Sequence, residues 1–286
     1  MTPTFVLVHG SNGNGQYFGP LQRELALLGH RSLAVDLPGH GHGGGFSAAF
    51  QTQDLAAFAE EPSPLAGITH ADGVAHVIDV VRRAREHGPV VLVGHSRGGF
   101  VLTSVANAVP ELLERIVYVS AWCCVDSSPG GYASGPEYAS SALMDVEGLV
   151  AGDPAKLGAL RMNWRTTDPA LLATLKRALL ADGTDSEFYA FLATLEPDEN
   201  LDAGTDRADA GTWGRVPHSY VRLTGDQSIP VALQDRFVKE ADALTPGNPF
   251  DVHSLDSGHV RALLRPSGLA GILAGCLTRR STNPAG

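Results

Sequence analysis

Val90-Val91-Leu92-Val93 runs without a break into Gly94-His95-Ser96-Arg97-Gly98, and a small-residue helical stretch follows to Val109. An apolar run with no polar alternation reads as a strand buried on both faces. Such a strand needs parallel neighbours and covering helices, which restricts the chain to an α/β architecture. The G-x-S-x-G pattern at its end is a second restriction. It fits a tight strand-to-helix turn whose strained serine points its Oγ outward at the carboxyl end of the sheet. Small residues two before and two after the serine let neighbouring chain approach, and the helix N-terminus favours a developing anion. A chain with 33 glycines carries this pattern by chance as a plain turn. Its position between a buried strand and a helix is what separates the two readings.

The rest of the chain repeats the rhythm. Residues 4–8 (TFVLV) read as another doubly buried strand, residues 16–28 as a helix, and 31–35 as a strand closed by Asp36-Leu37-Pro38-Gly39. Residues 39–64 form a glycine-rich excursion with one short helix expected near 54–58. A helix over 69–87 precedes the Ser96 strand, and a strand over 115–120 follows its helix. From about 126 to 213 helical patterns dominate (154–163, 169–181, 186–195), with no strong strand. The strand rhythm then resumes at 218–223, a helix at 230–241, a strand at 250–255 and a closing helix over 266–277. Residues 279–286 read as a loose tail. The expected fold is therefore α/β: a mostly parallel sheet of about six strands with flanking helices. Residues 1–125 and 214–286 make the core, and 126–213 an inserted helical cap.

Composition narrows the function. A net charge of -10 over 286 residues argues against a nucleic-acid surface and gives no reason to expect an anionic membrane. Cys123, Cys124 and Cys276 are too few and too irregular for a disulfide framework or zinc spacing, and read as buried hydrophobes. With neither a leader pattern nor a membrane-length apolar run, the chain reads as a soluble cytoplasmic protein. Homodimerisation is left open.

Serine needs a base and an orienting acid, in the order Ser, acid, His for this kind of turn. His259, in Asp256-Ser257-Gly258-His259 just past the last strand, is the candidate base. Asp226, in Gly225-Asp226-Gln227 after the preceding strand, is the candidate acid. Asp126 is its rival, and Asp256 sits too close to His259 in the same loop. The amides of Ser11, in His9-Gly10-Ser11-Asn12-Gly13, and of Arg97 are the expected oxyanion donors. Gly10, Gly13 and Gly15 do not spell a dinucleotide loop, so no cofactor is expected. His40 and His42 lack a visible third ligand, so no metal is expected either.

These blocks, together with Asp36-Leu37-Pro38-Gly39-His40-Gly41, Gly98-Gly99 and Gly225-Asp226-Gln227-Ser228-Ile229-Pro230, resemble the α/β-hydrolases in order and spacing. The compact start is most similar to the plant methylesterase and hydroxynitrile lyase branch. Lyases of that type place threonine at the position of Gly10 and lysine just after the triad histidine, where this chain has Val260. The resemblance therefore implies ester hydrolysis. Arg97 stands where relatives carry Leu, Met or Ala. Its side chain is expected to bind a substrate carboxylate or pair with a nearby acid. Residues 43–61 are atypical of the branch and are expected to shape the pocket mouth.

The expected function is a serine hydrolase cleaving a small carboxylic ester, lactone or thioester through an acyl-enzyme. In the cap, Trp164, Trp213 and Phe188, with Tyr189 and Phe191, are individually read as core. As a group they form an apolar lid, so Trp164, Trp213 and Phe188 are assigned to an apolar or aromatic substrate. The alternatives are a lyase or cyclising enzyme on the same scaffold, and a binding protein that keeps the pocket for a small ligand. Epoxide hydrolases and dehalogenases need Asp in place of Ser96.

Overall fold

The computed structural model describes residues 2–277, so the expected tail at 279–286 lies outside the described residues. Six parallel strands form one sheet in the order β2-β1-β3-β4-β7-β8. They are β1 (Thr4–Val8), β2 (Arg31–Val35), β3 (Val90–Ser96), β4 (Arg115–Ala121), β7 (His218–Leu223) and β8 (Asp251–Leu255). The runs that lacked polar alternation are the central strands, buried at every residue of β1, β3 and β4. The two edges, β2 and β8, alternate in burial instead.

Side chains alternate between two apolar layers, as the two-residue strand period requires. Phe5, Leu7, Val91 and Val93 point to one layer, closed by the helices Gly19–Leu27 and Ser267–Gly275. Val6, Val8, Val90 and Leu92 point to the other, closed by the helices His70–Arg85, Gly98–Ala108 and Val231–Leu244. Thr69 caps the helix His70–Arg85, and Asp72 returns the bond to the Thr69 amide. Because β1 is flanked by β2 on one side and β3 on the other, strand order reverses there. That switch point places the loops after β1 and β3 side by side, with Val8 in register with Gly94.

Between β4 and β7 the chain leaves the sheet. Helices span Pro129–Ala133, Pro154–Leu157, Pro169–Leu180 and Asp185–Leu192. The helix expected over 154–163 is cut short. Gly158 takes a left-handed φ of 67° at its C-cap, and β5 (Ala159–Arg161) pairs antiparallel with β6 (Asp198–Asn200). Neither three-residue strand is expected from the sequence, because each finds its hydrogen bonds about forty residues away rather than in a local pattern. In the glycine-rich excursion the expected single helix is two, Ala48–Thr52 and Leu55–Glu60. Cys123, Cys124 and Cys276 are buried and form no disulfide among the described residues. No helix among them is long and apolar enough to cross a membrane.

Candidate active site

Ser96 is the last residue of β3 and holds φ at 54°, a left-handed conformation that a non-glycine residue adopts only under constraint. The constraint is visible. A Cβ at Gly98 would sit 2.6 Å from the Val8 carbonyl oxygen and 2.7 Å from that of His9. Only glycine lets the new helix pack that close to the end of β1. The register with β4 slips between His95 and Ser96, so the ladder is irregular at the serine.

Asp226 follows β7 and His259 follows β8. His259 Nδ1 lies 2.6 Å from Asp226 Oδ2, with both side chains buried. The same carboxylate accepts the Ser120 hydroxyl at 2.6 Å and the amides of Ser228 and Ile229 at 2.6 and 2.9 Å. With Nδ1 donating to the carboxylate, Nε2 of a neutral His259 is the acceptor. Neither Ser96 Oγ nor His259 Nε2 has a hydrogen-bond partner among the described residues, and both residues line one cavity. Of the other acids, Asp126 is exposed, with its amide bonded to the Tyr132 hydroxyl, and Asp256 is exposed too. Ser120, at the end of β4, was not among the predicted site residues. Its signal is a polar residue closing an apolar strand next to the serine strand.

A second chain of bonds ties the three loops together. The Gly10 amide donates to the Tyr17 hydroxyl (2.7 Å), which meets His95 Nδ1 (2.8 Å), and His95 Nε2 reaches the His259 carbonyl (2.9 Å). A carbonyl can only accept, so His95 Nε2 carries the proton and the Tyr17 hydroxyl donates to Nδ1. Burial, helped by the neighbouring His259, holds the His95 pKa well below the ordinary imidazole value. His9, buried beside His40, is lowered to about 4.

The amides of Ser11 and Arg97 have no hydrogen-bond partner among the described residues and flank the Ser96 turn. A Cβ at Gly10 would lie 2.7 Å from Ser96 Cβ, which leaves no room for a larger residue there. The Arg97 side chain resolves one of the two expectations for it. It faces Glu199, with Nε 3.4 Å from Oε1, and Nη2 donates to the carbonyls of Asn200 (2.7 Å) and Asp202 (2.9 Å).

The cavity over Ser96 measures about 70 Å³. Leu143, Trp164, Leu179, Phe191, Leu195 and Val260 give it apolar walls, with Tyr17 beside them. Two of the three aromatic assignments need correction. Trp213 is buried in the opposite layer, where its indole donates to the Tyr118 hydroxyl and stacks on His218. Phe188 is buried against Tyr189 and does not reach the cavity, where Phe191, three residues on, takes the place assigned to it. Adjacent turns of one helix face different surroundings, and sequence spacing alone does not say which turn looks inward. For metals, His40 is buried near Glu199 and His42 is exposed. Asp251, His253 and Cys276 bring ligand-type atoms within 4.8 Å of one another, apart from the cavity lining.

The parallel six-stranded sheet, with a serine on a strained turn at its switch point, defines an α/β-hydrolase architecture. The chain belongs to the alpha/beta hydrolase family, whose model matches residues 5–272. It is 25% identical to a pyrethroid hydrolase of Sphingobium wenxiniae over 96% of this chain and 88% of that one. It is 24% identical to polyneuridine aldehyde esterase of Rauvolfia serpentina over 84% of each chain. Among solved structures, a pyrethroid hydrolase superposes with a TM-score of 0.73 at 21% identity, covering 97% of this chain and 98% of that one. The relatives place the protein, at the coarse level, among hydrolases of the esterase type.

Proposed function

We propose that this protein hydrolyses small carboxylic esters through a Ser96-His259-Asp226 triad. The observation that carries the reading is the buried 2.6 Å His259–Asp226 bond on the cavity that the strained Ser96 shares. His259 Nε2 takes the Ser96 proton as Oγ bonds to the ester carbonyl carbon. The amides of Ser11 and Arg97 hold the negative oxygen of the tetrahedral adduct. Collapse breaks the bond to the alcohol oxygen, which leaves with the proton from His259. Water, deprotonated by the same imidazole, then attacks the acyl-enzyme and frees the acid and Ser96.

Residues 126–213 act in this reading as a cap over a core formed by the described residues on either side of it, with Leu143, Trp164, Leu179, Phe191 and Leu195 as its contribution to the pocket. A cavity of about 70 Å³ with apolar walls suits a compact apolar acyl group, well below the several hundred Å³ of a drug-sized site. Gly10 and the buried, apolar Val260 offer no cation to a departing cyanide, which favours hydrolysis over cyanohydrin cleavage. The test is Ser96→Ala against a series of p-nitrophenyl esters. The wild type is expected to favour acetate and propionate over octanoate. The variant is expected to lose at least about 10³-fold in kcat and all fluorophosphonate labelling. Turnover retained in Ser96→Ala sinks the assignment.

A further inference from the structure

Glu196-Pro197-Asp198-Glu199-Asn200 has the composition of a solvated acidic loop, yet Asp198 and Glu199 are buried at 4% and 6% exposure. This segment grips the loop after β1. The Glu196 amide donates to the Asn12 carbonyl at 2.7 Å. The Asn12 side-chain amide donates back to the carbonyls of Glu196 (3.0 Å) and Pro197 (3.1 Å). Glu199 makes the contact with the most consequence. Its Oε2 accepts the Asn12 amide at 2.6 Å, and its Oε1 lies 3.4 Å from Arg97 Nε. Asn12 follows Ser11 directly and is itself held at φ 54°. One carboxylate therefore joins the residue next to one proposed oxyanion donor to the side chain of the residue that bears the other.

We infer that Glu199 is a positioning residue for the oxyanion hole, acting through the Asn12 amide and the Arg97 guanidinium without touching substrate. The inference rests on the triad and oxyanion reading proposed above. Two amides stabilise a developing oxyanion only while both point at the place it will occupy. They stand on loops from different strands, and an error of about 1 Å between them costs roughly 10²-fold in rate. A carboxylate suits the task because one oxygen accepts the Asn12 amide, while the other accepts the Asn200 amide at 2.8 Å and carries the charge that pairs with Arg97. The same pairing turns the Arg97 side chain toward β6 and out of the lining of the cavity over Ser96.

Glu199→Gln keeps the shape and one acceptor oxygen but removes the charge that pairs with Arg97. Its kcat for p-nitrophenyl acetate is expected to fall about 10-fold or more, with KM within about twofold of wild type. Affinity for phenylboronic acid, whose tetrahedral serine adduct places an oxygen in the hole, should fall by the same factor. A merely structural role would not give that parallel loss. A folded Glu199→Gln with wild-type kcat and boronate affinity, or with a loss confined to KM, overturns the inference. If that variant does not fold, Arg97→Met reads the same quantities, because its side chain is 23% exposed and its backbone amide is kept. Wild-type kcat and boronate affinity in Arg97→Met overturn the inference equally. Ser96→Ala measured alongside keeps the two proposals apart: turnover retained there fails the triad reading whatever Glu199 does.

Discussion

The sheet-end loops and the excursion between β4 and β7 meet at the same cavity and are held in opposite ways. Ser96, Asp226 and His259 each lie within four residues of a strand end, and sheet register fixes where those ends fall. Below them Phe5, Leu92, Val117 and Val221 are fully buried, a packing that is strong but not directional. The excursion is fastened where it meets the site by polar groups. Arg161 makes a bidentate pair with Asp198 at 2.7 Å and reaches the carbonyls of Phe58 and Glu61. Glu196 accepts from Asn14 and from the Gly41 amide, and Glu199 accepts from Asn12. The difference teaches that apolar packing places the strand ends on which the reacting groups stand, while a buried ionic network sets how the 196–200 segment of the excursion closes on them. A network of that kind tolerates the loss of a member poorly, because a buried charge is left alone.

Three experiments separate the regions, beginning with the largest effect. Asp226→Asn leaves the packing of the sheet ends untouched but hands His259 the wrong hydrogen-bond partner. A loss of about 10⁴-fold in kcat with an unchanged melting temperature is expected. An equal loss of stability would mean that the carboxylate belongs to the scaffold. Arg161→Ala strips the excursion of its central cation and strands Asp198. Urea denaturation should read about 3–5 kcal/mol of destabilisation. Full stability in that variant would show the network to be dispensable. The effect that is smallest near neutral pH is graded and grows as pH falls. His9, in the loop gripped by the excursion, and His218, in the sheet, are both lowered from 6.5 to about 4 by burial. Above pH 6.5 neither folded nor unfolded chain is protonated at these sites, and stability is complete. As pH falls from 6.5 toward 4, the unfolded chain binds protons that the folded one excludes. Each group then removes about 1.4 kcal/mol per pH unit. A melting temperature flat across that window would contradict the burial of both imidazoles.

Legibility follows the same division. β1, β3 and β4 can be read because a doubly buried strand needs an unbroken apolar run. Ser96 can be read because its turn demands glycines at fixed spacing. Asp226 and His259 can be read as candidates because they lie just past strands. β5 and β6 cannot, since Ala159–Arg161 and Asp198–Asn200 are defined by each other and not by any period. Glu199 escapes for the same reason: an acidic residue in a polar run looks solvated until its distant partners, Asn12 and Arg97, are known. Trp164 and Trp213 are alike in sequence and differ only in the layer they enter.

That last contrast has an optical consequence. The Trp164 indole donates to the Glu196 carbonyl at 2.7 Å while its ring borders the cavity. Trp122 and Trp213 pack in the other layer, among Phe237, Phe250 and Tyr118. The protein thus carries one emitter wired to the grip of the excursion and two that form a steady background. A change in the intensity or colour of its ultraviolet fluorescence on ligand binding reports on the surroundings of Trp164, at the cavity wall and at that hydrogen bond, without any label.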